Sequence, residues 1–151
     1  MDDRLHIHRR RLPHWELKGS TYFLTFRVAR GELTMPQRLI VLQHIRSGDG
    51  KFYDLLAAVL MPDHGHAILT PRDNVELSRI MKGIKGVSAK LVNDSRGTRG
   101  QLWQDESFDR IIRDQAELDE KLNYVITNPV RAELVVDPWA YEALYINPNA
   151  G

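Results

Sequence analysis

Residues Tyr53 to Leu60 form an almost unbroken apolar run, interrupted only by Asp54, and a second run from His64 to Thr70 follows directly. Only Met61-Pro62-Asp63 separates them. A run of that length beside a proline turn reads as a buried strand, so the pair predicts an antiparallel hairpin. The flanking sequence supplies partners. Tyr22 to Val28 is rich in aromatic and branched residues and reads as another strand. A helix is predicted from about Pro36 to Arg46, with capping-box spacing at Thr34 and Gln37 and Gly48 as its stop.

A second helix should start near Asp73 and Glu76, again at capping-box spacing. Leu77, Ile80, Met81, Ile84, Val87 and Leu91 recur at helical intervals and are expected in its core stripe, to about Val92. Residues 93–100 read as a loop, and Phe108 to Arg113 as a short strand. Asp114 and Glu117 then cap a third helix with Leu118, Leu122, Val125 and Ile126 inward. Pro129 should limit it, because the residue before proline avoids helical geometry. This order predicts an α+β fold, a ferredoxin-like antiparallel sheet with helices packed mainly on one face. Residues 1–14 read as a basic N-terminal arm and residues 15–151 as a single domain.

The 151-residue chain has no cysteine, which excludes disulfides, thiolate nucleophiles and Cys-containing zinc sites and fits a reducing cytoplasm. No apolar run approaches the roughly 20 residues needed to span a membrane. The N-terminus lacks the apolar core of a signal peptide, so the expected location is cytoplasmic. The net charge is only +1, but it is unevenly spread. Residues 72–100 carry seven basic against three acidic groups, and residues 105–151 four against ten. The basic part suits a phosphate backbone; two solvated helix faces of opposite sign would look the same.

His64 and His66 are two residues apart on a predicted strand, so both imidazoles share a face and make half of a divalent-metal site. Taken alone, the pair fits a solvated strand face better. On the third predicted helix Tyr124 and Asn128 are four residues apart and share a face, with Lys121 on the same side. Asn128 offers a carbonyl oxygen that Mg²⁺ or Mn²⁺ accepts. These too, taken alone, read as an ordinary amphipathic position and a helix end before proline.

The motifs MPDHGH, WQDESFDRIIRD and YVITNPVRAELV, with the earlier RRRLPHWELKGSTYFLTFR, change that balance. Together they resemble the REP-associated tyrosine transposases, in the single-tyrosine branch of the HUH (His-hydrophobic-His) endonucleases, from about residue 9 to about residue 136. The resemblance implies a ferredoxin-like fold with His64, His66 and Asn128 as metal ligands and Tyr124 as nucleophile. It implies nicking of single-stranded DNA at repeat hairpins through a 5′-phosphotyrosine, with a free 3′-hydroxyl. A phenol is a weak nucleophile at neutral pH, and Lys121 or the metal would favour its ionised form. Arg79, Lys82, Lys85 and Lys90 suit the strand's backbone, and Arg9, Arg10 and Arg11 in the arm suit a hairpin or its groove; solubilising surface charge would look the same. Trp15 and Trp103 suit either base stacking or core packing. Monomer and homodimer are both open.

Three positions depart from the family pattern. Gly65 stands where a bulky apolar residue is usual, and predicts a looser strand beneath the site. Asp63 puts a carboxylate where Asn is common. Glu133 replaces a glycine after the Asn-Pro motif and predicts altered geometry at the helix end. These departures keep a second reading in play, a binding-only DNA-hairpin protein of the same fold. A third, a ferredoxin-like RNA-binding module, lacks the aromatic sheet-face signature such modules use.

Overall fold

The computed structural model describes residues 19–148. The basic arm with Arg9, Arg10 and Arg11, and Trp15, lie outside the described residues. Five strands form one sheet: β1 (Tyr22–Arg27), β2 (Tyr53–Leu60), β3 (His64–Pro71), β4 (Phe108–Ile111) and β5 (Leu144–Ile146). Three helices accompany them: α1 (Met35–Ser47), α2 (Leu77–Arg96) and α3 (Gln115–Arg131).

The sheet order is β4-β1-β3-β2-β5, with every pairing antiparallel. The first four strands and two helices therefore make the βαββαβ unit of a ferredoxin-like fold, as expected. The β2–β3 hairpin runs up the middle, with a bulge between Leu55 and Ala57. Both crossover connections place their helices on the same face. Phe26 points to that face, meets Trp103 edge-on, and Trp103 Nε1 donates to Ser88 Oγ of α2 at 2.9 Å. Trp103 is thus core. α1 packs against α2 and β2. The other face would be open, and α3 covers it, packing on β2 and β3.

Local chemistry explains most boundaries. Thr34 and Gln37 form the reciprocal capping box, and Asp114 accepts from the Glu117 backbone N–H. α2 departs from expectation at both ends. Asp73 makes no cap: Glu76 is the N-cap residue, without a side-chain bond. At the other end, Asn93 donates its amide N–H to the Gly100 carbonyl and accepts from the Thr98 hydroxyl on its oxygen, folding the next residues back onto the helix. Gly97, at φ 65°, closes it in the left-handed conformation. Val87 and Leu91, expected in the core, are exposed.

α3 also runs past its expected limit, with Pro129 inside it. The proline falls in the last turn, where it removes one backbone donor and the turn closes by other means. Ala132 N–H donates to Asn128, Glu133 N–H to Val130 and Leu134 N–H to Pro129. The last two bonds form a complete Schellman motif. Its left-handed residue is Glu133, at φ 60°, so the turn a glycine would favour is made without one.

The C-terminal segment adds what the sequence did not announce. Tyr141 donates its hydroxyl to the Leu60 carbonyl at 2.6 Å and accepts from Arg38. That anchor brings Leu144–Ile146 onto the free edge of β2.

Candidate metal and nucleophile site

Strand alternation puts His64 and His66 on the face that α3 covers, with their ring centres 4.9 Å apart. His66 is 3% exposed. Its Nδ1 lies 2.8 Å from Oγ1 of Thr25, its direct cross-strand partner on β1. His64 Nδ1 lies 2.7 Å from a carboxylate oxygen of Asp63. Each ring therefore has one nitrogen held by a neighbour, which orients it and leaves Nε2 for a ligand. Asp63, a departure in sequence, is a ring-orienting partner in structure. Its bond to His64 holds its carboxyl below the usual range. Thr25 was missed; only strand register reveals it.

Burial, and next the charge of His64, push the His66 pKa down to about 3. The imidazole is thus neutral near pH 7, the form a metal requires.

Tyr124 and Asn128 meet these histidines from α3. The Tyr124 ring lies 5.5 Å from the His66 ring, nearly edge-on, and is 43% exposed. Phe23 packs beside both, stacked on His66 at 5.0 Å and edge-on to Tyr124 at 6.1 Å. Asn128, one turn beyond Tyr124, is 8% exposed. Among the described residues, two buried side-chain polar atoms have no hydrogen-bond partner: His66 Nε2 and Asn128 Nδ2. An amide's nitrogen and oxygen exchange places by a half-turn, which would put a carbonyl oxygen at that position. Unpaired buried polar atoms cost about 1–3 kcal/mol each, so two of them on facing elements mark a position suited to a polar or charged ligand. Two imidazoles and an amide oxygen suit a divalent cation with open positions. No group of three or more His, Cys, Asp or Glu among the described residues offers another metal site.

Gly65 lies between the two histidines and faces α1 and α2. A β-carbon there would stand 2.7 Å from Leu60 Cδ1 and 2.7 Å from Phe26 Cε2. The expected looseness is therefore absent: neighbouring side chains occupy the volume a bulky residue would fill.

The cations sort differently from expectation. The Lys121 ammonium stands 5.2 Å over the Phe23 ring. The guanidinium against Tyr124 belongs to Arg131, which sequence reasoning missed, with Cζ 4.3 Å from the ring centre. Arg131 Nη2 donates to the Tyr124 carbonyl at 2.6 Å and Nη1 donates to Thr127 Oγ1. The spacing of Tyr124, Thr127 and Arg131 along one helical face was a readable signal.

Arg79, Lys82 and Lys90 lie on α2, across the sheet from the histidines, and do not line the site. Arg79 and Lys82 edge a groove of about 380 Å³ with His44, Phe52 and Val75. Lys90 pairs with Asp94. The Lys85 ammonium is engaged in the fold, donating to the Gln104 and Asp105 carbonyls at 2.6 and 3.0 Å and to Ser107 Oγ at 2.8 Å. Crossover handedness, which residue spacing does not reveal, put the basic helix on the far face.

No helix among the described residues is long and apolar enough to cross a membrane. No curated protein is significantly similar to the chain. Solved structures that share its fold include the following two. One is a REP-associated tyrosine transposase bound to a REP hairpin, with TM-score 0.68 and 23% identity over 87% of this chain and 79% of that one. The other is a Deinococcus radiodurans protein described as a transposase, with TM-score 0.52 and 18% identity over 70% of this chain and 89% of that one. The family model for IS200-like transposases matches residues 40–128, which take in both histidines, Tyr124 and Asn128. By that match the chain belongs to the IS200-like transposase family.

Proposed function

We propose that the protein is a metal-dependent single-strand DNA endonuclease and transposase, with Tyr124 as nucleophile and His64, His66 and Asn128 holding Mg²⁺ or Mn²⁺. The observation that carries this reading is the pair of buried unpartnered atoms, His66 Nε2 and Asn128 Nδ2, beside an exposed tyrosine ring.

When bound, the metal would draw charge from the phosphate oxygens and align the scissile bond for in-line displacement. The chain's residues supply the rest. Thr25 and Asp63 fix the imidazole rings. α3 holds Tyr124 in place, and such positioning offsets much of the weakness of a phenol as nucleophile. Arg131 braces the ring, its planar fork serving the Tyr124 carbonyl and Thr127 while it covers the ring. Lys121 adds a second cation one turn earlier and is our candidate for favouring the ionised phenol.

In the reaction the Tyr124 oxygen bonds to phosphorus as the bond from phosphorus to the 3′-oxygen breaks. The phenol loses its proton and the 3′-oxygen gains one, leaving a 3′-hydroxyl and a 5′-phosphotyrosine. One phosphate ester replaces another, so attack by a second 3′-hydroxyl rejoins DNA without ATP. Hairpin-forming repeats are the proposed targets, supported by the shared fold with a transposase solved on such a hairpin.

The test is a denaturing gel with labelled single-stranded hairpin oligonucleotides of varied flanks. An adduct that requires Mn²⁺ or Mg²⁺ and disappears with EDTA or Tyr124→Phe is the expected result. A hairpin that binds but gives no adduct with either metal would overturn the catalytic reading in favour of a binding-only protein.

A further inference from the structure

The face carrying the histidines continues past them to the sheet edge. Directly paired residues of antiparallel strands share a face. Arg27 on β1 pairs with His64, Thr25 pairs with His66, and on the other side Thr25 pairs with Phe108 of β4. Phe108 therefore lies on the same face as both imidazoles, two strand spacings or about 10 Å from His66. It is 55% exposed on an edge strand. Arg27, also exposed, stands beside His64, and its charge reaches both Asp63 and His66.

The segment that presents Phe108 is held firmly. Trp103 bridges Val28, and Gln104 N–H donates to the Arg27 carbonyl at 2.8 Å. From there to the Thr25–Phe108 pair, β1 advances three residues and the other strand five, so two extra residues bulge out. Bulges of this kind often sit beside functional sites and re-aim a strand. Lys85 reaches from α2 to fasten this one, through the Gln104 and Asp105 carbonyls and Ser107 Oγ. Burial lowers the pKa of that ammonium, so burying its charge opposes the latch, which nevertheless forms. The result is a fixed aromatic face in solvent, with an exposed guanidinium two residues along β1 from Thr25, on the same face and beside His64; among the described residues Arg27 has no ion-pair partner.

We infer that Phe108 and Arg27 form a seat for the substrate strand, with Phe108 stacking on an unpaired base and Arg27 contacting the phosphate between that base and the scissile bond. The inference rests on the single-strand nicking reading above and names the path that strand takes. Base stacking tolerates any sequence, because every base has a π-face, whereas one guanidinium at a phosphate adds a salt-dependent contact. A single-stranded nucleic acid is the occupant that needs both.

The test uses the full chain carrying Tyr124→Phe, so that binding is read without chemistry, and a fluorescein-labelled dT₂₀ oligonucleotide followed by anisotropy without divalent metal. Phe108→Ala should weaken binding by about 5- to 150-fold, the range for loss of one stacked base, and Phe108→Trp should restore it. Arg27→Gln should lower the slope of log affinity against log salt by about 0.7, the single-strand value for one phosphate. Both side chains are exposed, and unchanged thermal unfolding would show that neither variant acts through the fold. Phe108→Ala binding like the parent, or a parent that does not bind dT₂₀, would overturn the seat. The adduct assay on the unsubstituted chain judges the nicking reading separately: an adduct with no Phe108 effect leaves the enzyme and removes the seat, and a Phe108 effect with no adduct does the reverse.

Discussion

Arg131 and Tyr124 are joined twice, by a guanidinium 4.3 Å from the ring centre and by a 2.6 Å bond from the same group to the Tyr124 backbone carbonyl. Thr127 completes the brace: its hydroxyl accepts from Arg131 and donates to the Asn123 carbonyl at 2.7 Å. The residue that would attack DNA is thus partly exposed and fastened at its base. The brace lies in the turn that also carries Asn128, so the positions of the Tyr124 ring and the Asn128 amide depend on the same few backbone bonds.

Removing this brace should slow chemistry more than it weakens DNA binding. Arg131→Met keeps much of the side chain's length and removes its charge and fork. The single-turnover rate of adduct formation is expected to fall on the order of 10²-fold, the usual cost of misplacing a reacting group by about an ångström. Arg131→Lys should recover only part of it, since an ammonium cannot cover the ring and serve both acceptors with a planar fork. If oligonucleotide affinity dropped as far as the rate, Arg131 would be a phosphate contact rather than a positioning residue.

Much of this was legible in the sequence. The hairpin, α1 and the caps at Thr34 and Asp114 depend on short-range spacing and appear where that spacing puts them, whereas α2 and α3 exist as expected but run past their expected ends. What spacing does not encode is which face meets which partner. Val87 and Leu91 keep helical periodicity yet lie beyond the edge of the core. Thr25 became visible as the partner of His66 only through a register joining residues 41 apart in sequence. Phe108 read as one residue of a short strand, and its place on the histidine face depends on β4 pairing with β1. Asp63 and Gly65 take their structural roles from neighbours that spacing does not identify, the His64 ring for one and the Leu60 and Phe26 side chains for the other.

The low pKa of His66 has a consequence for the metal-free protein. Its folded-state value is about 3, against about 6.5 for an unperturbed histidine. Between those values the unfolded chain binds a proton that the folded chain does not, so stability falls as pH falls through that window and is fully present above about 6.5. The loss should reach a few kcal/mol at its acid end. Urea unfolding of the EDTA-treated protein at several pH values would measure it, with His66→Asn as the reference. The variant should show a shallower decline. Parallel curves would mean that His66 does not resist protonation in the fold.

Gly65 should tolerate no side chain. Alanine normally favours a strand interior by about 0.5–1 kcal/mol over glycine, but here its β-carbon would meet Leu60 and Phe26 at 2.7 Å. Overpacking of that kind costs about 1–3 kcal/mol, so Gly65→Ala should be a net destabilisation in urea unfolding. Pairing it with Leu60→Ala should cost less than the two single changes added together, because the second change opens the space the first requires. Strict additivity would show that the neighbours relax without strain.

Glu133 offers the opposite experiment. It holds φ 60° in the residue position that completes the Schellman turn after α3. A non-glycine residue pays about 1–2 kcal/mol to adopt that conformation, while glycine would give back about 0.5–1 kcal/mol through its freer unfolded chain. Glu133→Gly should therefore stabilise the protein by up to about 1 kcal/mol, raising Tm by about 2–4 °C for a chain of this size. Adduct formation should be unaffected, because the Ala132-to-Asn128 and Leu134-to-Pro129 bonds that close the helix are already made. A variant that gained activity along with stability would show that the glutamate distorts the turn carrying Asn128, and would return this position to the list of functional departures.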